Sequence, residues 1–222
     1  MPALPFQTIV FDLDGTIVDT APDLAAALNH TLEQAGRLPL PLAAVRTMIG
    51  HGTRALLRNG LSATGTVDDA QVEASYPVLM RFYADHICDH GQPYPQVEAA
   101  FDALAAAGLN LALCTNKPEA MTRLLIEALG WQERFASVVS GDTMAVCKPD
   151  PAPLRLAIEQ AGGGSAVFVG DSITDVETAR AAGIFSIVVS FGFADRPARA
   201  LGADRVIDHF DELLPALAAR GR

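Results

Sequence analysis

Asp12 and Asp14 stand two positions apart in Asp12-Leu13-Asp14-Gly15-Thr16, directly after the apolar run at 8–11. At that spacing in extended chain both carboxylates project to one side, with Leu13 opposite. Two carboxylates crowded at the end of a buried strand repel, so either one is protonated or both face a cation. Gly15 permits a turn with positive φ, and Thr16 supplies a hydroxyl where the chain leaves the strand. Polar groups recur at the ends of later apolar runs: Thr115 and Asn116, then Lys148, then Asp171 and Asp175. In parallel α/β sheets such ends are where ligands sit. Several carboxylates, a hydroxyl, an amide and an ammonium suit Mg²⁺ and a phosphoryl group better than a sugar or a hydride.

That chemistry has demanding requirements. Phosphate monoesters hydrolyse so slowly unaided that catalysis supplies a rate factor of up to ~10²¹. A carboxylate nucleophile divides the task through an aspartyl-phosphate. A hard divalent cation offsets the repulsion between carboxylate and phosphate and aligns the two. Lys148 and the Thr115 hydroxyl would neutralise the equatorial oxygens of the transition state.

These residues need a scaffold that gathers distant strand ends. The β-branched and aromatic run 8–11 has no helical period, which predicts a fully buried strand, and no pairing strand is expected after the Gly15 turn. From 22 to about 90 the pattern is helical. Leu24, Leu28, Leu32 and Ala35 keep a helical spacing until Gly36, a short helix is predicted over 42–49, and a third follows Gly52. A fourth runs from about Asp69 through Val72, Tyr76, Leu79 and Tyr83, and the joint Gln92-Pro93-Tyr94-Pro95 closes the segment. Strands are then predicted at 109–114, 137–139, 166–169, 184–189 and 205–207, separated by helices, with a last helix over 210–219. Gly162-Gly163-Gly164 falls between a helix and a strand, the wrong order for a dinucleotide fingerprint, so it reads as a helix stop. The expected fold is α/β: a doubly wound parallel sheet from 1–16 and 95–222, with an inserted all-helical cap domain over 17–94, hinged near 16–21 and 91–95.

Composition narrows the partners. At 222 residues the chain can bury a full core plus a smaller unit. No apolar stretch reaches the ~20 residues of a spanning helix, and no basic segment with an apolar signal core precedes the first strand. Three cysteines without metal-type spacing suit a reducing cytoplasm. A net charge of −10 argues against nucleic acid or an anionic membrane. It does not exclude a small phosphorylated metabolite, because salt screens distant charge beyond ~10 Å. The only lysines are Lys117 and Lys148, each after a predicted strand end. His86 and His90 share a helix face but lack further ligands, and read as a solvated helix end. The assembly stays open between a monomer and a homodimer.

The order of the motifs resembles that of the haloacid dehalogenase superfamily, along almost the whole chain. Asp12 to Thr16 resembles its first motif and Cys114-Thr115-Asn116 its second. Cys147-Lys148-Pro149 resembles the third, and the stretch from Gly170 to Asp175 the fourth. The resemblance implies Asp12 as nucleophile, Asp14 as general acid/base, Thr115 and Lys148 on the phosphoryl group, and Mg²⁺ as cofactor. It implies metal ligation by the Asp12 carboxylate, the Asp14 backbone carbonyl and Asp171, with Asp175 in support. Dehalogenases lack the second acid, because a halide leaves without a proton and an alkoxide does not; Asp14 therefore favours phosphate transfer. Cap closure would desolvate it.

In the cap, Gly50-His51-Gly52 opens a helix with bare N–H groups suited to an anion, and Arg54 offers a fork suited to a carboxylate. Thr16, Asn116, Gly50, His51, Gly52 and Arg54 are the candidate substrate contacts. This segment, Pro22-Asp23-Leu24 and the tail at 190–213 resemble the phosphoglycolate phosphatase branch, which implies hydrolysis of 2-phosphoglycolate. One departure is Gln96, where that branch usually has Gly after Pro95. Related branches act on sugar phosphates or pyrophosphate, and a phosphomutase shares the core. A signalling receiver domain offers a similar set of side chains but lacks the helical insert.

Overall fold

The computed structural model describes residues 4–194 and 196–219. Strand β1 (Thr8–Phe11) leads through the Gly15 turn to a two-residue strand β2 (Val18–Asp19). Helices α1 (Ala21–Gln34), α2 (Leu42–Arg46), α3 (Thr53–Thr64) and α4 (Asp69–Asp85) follow, then β3 (Gln92–Pro93). The chain continues as α5 (Val97–Ala106), β4 (Asn110–Cys114), α6 (Glu119–Ala128), β5 (Ser137–Val139) and α7 (Ala152–Gln160). It ends as β6 (Ala166–Gly170), α8 (Ile173–Ala182), β7 (Phe185–Val189), β8 (Arg205–Ile207) and α9 (Leu213–Ala218).

Six strands form one parallel sheet in the order β5-β4-β1-β6-β7-β8. β1 is central, and all four of its residues are buried. Its neighbours run level with it: Phe11 pairs with Leu113 of β4 and with Val169 of β6. That register sets Asp12, Thr115 and Asp171 just past neighbouring strand ends. Alternation along β1 serves both faces of the sheet. Ile9 and Phe11 pack with Phe101 of α5 and Leu213 of α9, while Val10 packs with Leu154 of α7 and Ala179 of α8. The sheet is doubly wound, as the alternating pattern predicted.

α1 to α4 gather around their own apolar cluster of Leu28, Leu32, Leu57, Leu61, Val72 and Leu79. Met121 of α6 reaches into that cluster and joins it to the sheet side. Asp23 in the first turn of α1 accepts the N–H groups of His90 and Gly91 at 2.9 and 2.8 Å, which ties the way into the helical unit to the way out.

Three expectations need correction. A strand does pair after the Gly15 turn: β2 pairs antiparallel with β3, not back onto β1, so the two crossings form a short ribbon. The second helix ends at Arg46, past which the chain tightens into i→i+3 turns, Met48 N–H donating to the Val45 carbonyl at 2.9 Å, before Gly50 and Gly52 take positive φ of 115° and 85°. The last helix begins with a 3₁₀ turn at Phe210–Glu212 before α9; residue 220 onward lies outside the described residues. Gln96 carries a positive φ of 68°, alone among the described non-glycine residues. The triple glycine behaves as expected: Gly162 and Gly163 donate to Glu159 and Ile158 and close α7.

Candidate active site

Asp12 extends β1 by one residue, its N–H donating to the Val169 carbonyl at 2.9 Å. Its side chain is buried against Lys148, whose Nζ lies 3.0 Å from Oδ1. Oδ1 nonetheless accepts no hydrogen bond. Burial pushes the Asp12 carboxyl up to about 6, with Lys148 opposing the rise and Asp175 adding to it.

Two more carboxylates close on it. Asp171, after β6, accepts the Phe193 N–H at 2.6 Å and the Thr16 hydroxyl at 3.2 Å. Asp175 caps α8: one oxygen accepts from the Ser172 N–H at 3.0 Å and the Ser172 hydroxyl at 2.6 Å, while the other meets Lys148 Nζ at 2.6 Å. One oxygen each from Asp12, Asp171 and Asp175 fall within 4.8 Å of one another, all buried. Burial and the two neighbouring carboxylates hold Asp171 well above the usual carboxylate range. Three buried carboxylates against one ammonium are the donor set a hard divalent cation takes. These residues fit such a cation.

The turn is built for this closeness. Gly15 has φ +80°, and a Cβ there would lie 2.5 Å from Asp171 Oδ2. Only glycine fits both demands.

Asp14 faces elsewhere. Its Oδ1 accepts the Thr20 hydroxyl at 2.7 Å and pairs with Lys117 Nζ at 3.0 Å. Asp12, Asp14, Thr115, Asn116 and Lys117 form one wall of a cavity, and Leu24, Ile49, Gly50, Gly52, Thr53 and Leu56 form the other. The space is small: the centre of a water molecule can roam about 20 Å³ of it.

The remaining expected contacts divide. Gly50 and Gly52 reach the cavity. Thr16 braces Asp171 and is fully buried. Asn116 lines the cavity but spends its amide on Lys148, accepting its N–H at 3.0 Å and donating to its carbonyl at 3.1 Å. Arg54 is not brought to the cavity: it pairs with Glu73 and stacks 4.0 Å above the Tyr76 ring, because its side of the first turn of α3 faces α4. His51 is exposed and lines a separate cleft with Ser172 and Phe193. Three groups that touch Asp14 or its partners are absent from the expected set: Thr20, Lys117 and Tyr83. Lys117 carried a signal, as one of only two lysines, both after strand ends.

Relatives place this site in context. A family model described as haloacid dehalogenase-like hydrolase matches residues 6–183. A phosphoglycolate phosphatase of Mesorhizobium japonicum is 43% identical over 96% of this chain and 95% of its own length. One from Rhodospirillum rubrum is 44% identical over 93% of this chain and 89% of its own. A crystal structure described as a predicted phosphoglycolate phosphatase, from Haemophilus somnus, superposes with a TM-score of 0.90 at 28% identity, covering 96% of this chain and 98% of that one. The chain belongs to the haloacid dehalogenase-like hydrolases, in the branch that resembles phosphoglycolate phosphatase.

Proposed function

We propose that this phosphatase hydrolyses a small phosphate monoester, 2-phosphoglycolate, to glycolate and orthophosphate through an aspartyl-phosphate on Asp12. The observation that carries the reading is the separation of two acids on one cavity. Asp12 stands among Lys148, Asp171 and Asp175, whereas Asp14 is held by Thr20 and Lys117. The names of the relatives support the substrate, and the smallness of the cavity supports a short leaving group.

The two acids take different parts. An Asp12 carboxylate oxygen bonds to phosphorus as the bond from phosphorus to the alcohol oxygen breaks. Asp14 gives that oxygen its proton, and glycolate leaves. Asp14 then takes a proton from water, whose oxygen attacks the same phosphorus; the bond to Asp12 breaks and orthophosphate departs. Lys148, fixed by Asp175, and the Thr115 hydroxyl stabilise charge on the phosphoryl oxygens. Mg²⁺ held by Asp12, the Asp14 carbonyl and Asp171, with Asp175 behind them, would supply neutralising charge. Residues 17–94 act as the cap that selects the alcohol, and 1–16 with 95–222 as the catalytic core.

The test is phosphate release with Mg²⁺ over 2-phosphoglycolate, hexose phosphates, nucleotides and pyrophosphate, with protein quenched in acid during turnover of labelled substrate. Release fastest from 2-phosphoglycolate, with label at Asp12 and none in Asp12→Asn, is expected. Unlabelled protein, or full activity in excess chelator, would falsify the reading.

A further inference from the structure

Lys117 lines the cavity, Tyr83 is buried behind it, and both belong to none of the four motifs. Lys117 follows β4 and is 2% exposed; its Nζ lies 3.0 Å from Asp14 Oδ1 and 3.3 Å from Oδ2. The Thr20 hydroxyl meets Oδ1 from another direction. Lys117 also donates to the Tyr83 hydroxyl, and its Nζ lies 4.5 Å from the centre of that ring. Tyr83 is fully buried and comes from α4, so the group that braces Lys117 belongs to the helical unit. Donors from two sides fix the plane of a carboxylate, which a single flexible contact does not. A buried ammonium stripped of partners is unfavourable, so Lys117 stays where Asp14 and Tyr83 meet.

We propose that Lys117 is a positioning residue for Asp14 and that Tyr83 completes it from the helical unit, so the acid/base is aimed only while α4 is seated against α6 and the turn after β4. This rests on the function proposed above. The device links closure to chemistry without any group on α4 touching the reacting atoms. A substrate that lets the helical unit seat would thereby align the proton donor for its own leaving group.

Misaiming a general acid has a signature that loss of packing does not share: the penalty grows with the basicity of the leaving group. The experiment measures kcat/KM, which reports steps through departure of the alcohol, for ethyl phosphate, trifluoroethyl phosphate and 2-phosphoglycolate with Mg²⁺. The fluorinated alkoxide is the weaker base and needs less protonation. Lys117→Met is expected to lower the ethyl phosphate value about 10²-fold and the trifluoroethyl value about tenfold or less. Tyr83→Phe, which deletes one hydroxyl, should give the same graded pattern with a smaller loss, and decides alone if Lys117→Met fails to fold. Equal losses for both alkyl phosphates overturn the proposal. So does a loss confined to 2-phosphoglycolate, which would assign Lys117 to the substrate carboxylate. A wild-type protein inactive on all three substrates overturns the underlying function, and this proposal with it.

Discussion

Asp12 pairs with a lysine 3.0 Å away and still has its carboxyl pushed up to about 6, which measures how unfavourable the cluster is without a cation. An unfolded aspartate gives up its proton near 3.8, so between there and about 6 the metal-free folded chain holds a proton that the unfolded chain has lost. Stability contributed by protonated Asp12 is therefore fully present below about pH 4 and is lost as pH rises through about 6. The gap corresponds to about 3 kcal/mol. In chelator, Asp12→Asn should be more stable than wild type at pH 7.5 by up to this amount, and at pH 4.5 by only about a third of it, while being inactive. Urea unfolding at the two pH values checks it; an equal difference at both would sink the idea. Most of this site was legible in the chain because each functional group follows an apolar run, and strand ends converge in a parallel sheet. Two things were not. Arg54 looked free because its partner Glu73 lies on another helix, and Lys117, though marked as one of two lysines after strand ends, had no legible role because Tyr83 stands far away in sequence.

The same limit applies to the elements. Long strands and helices announce themselves by period, but β2 and β3 are two residues each and too short to show one. Their pairing exists because α1 and α4 pack side by side and bring both crossings together, with Asp23 pinning the exit at Gly91. Gln96 sits just past this ribbon, at the start of α5, with φ 68°. A side chain there costs about 1–2 kcal/mol in the left-handed region, whereas glycine pays only the roughly 0.5–1 kcal/mol of its extra freedom in the unfolded chain. Gln96→Gly is therefore expected to stabilise the fold by about 0.5–1 kcal/mol, read as a higher urea midpoint at unchanged m-value. A lower midpoint would mean that the Gln96 side chain contributes contacts outweighing its backbone strain. The departure from the branch's usual glycine is thus a cost in backbone conformation, set at the joint between the two units.

At the scale of the whole molecule, charge acts in two ways that one experiment can separate. The chain carries −10 overall, yet both of its lysines are buried beside the acidic cavity, Lys148 with Asp12 and Asp175 and Lys117 with Asp14. Any salt relieves the general repulsion by screening. A divalent cation bound among Asp12, Asp171 and Asp175 would add a specific term, because the unfolded chain does not assemble that cluster. Binding to the folded state alone stabilises by about 2.7 kcal/mol at a hundred times Kd. For a chain of this length that raises Tm by about 5–10 °C. Mg²⁺ should produce this rise at pH 7.5 in a concentration-dependent way, with a smaller rise at pH 5, where a proton on Asp12 competes with the cation. Asp171→Asn should abolish most of it. Sodium chloride at matched ionic strength reports screening alone, so a rise that it reproduces in full would place the cation's effect on the surface and leave the buried carboxylates without a metal.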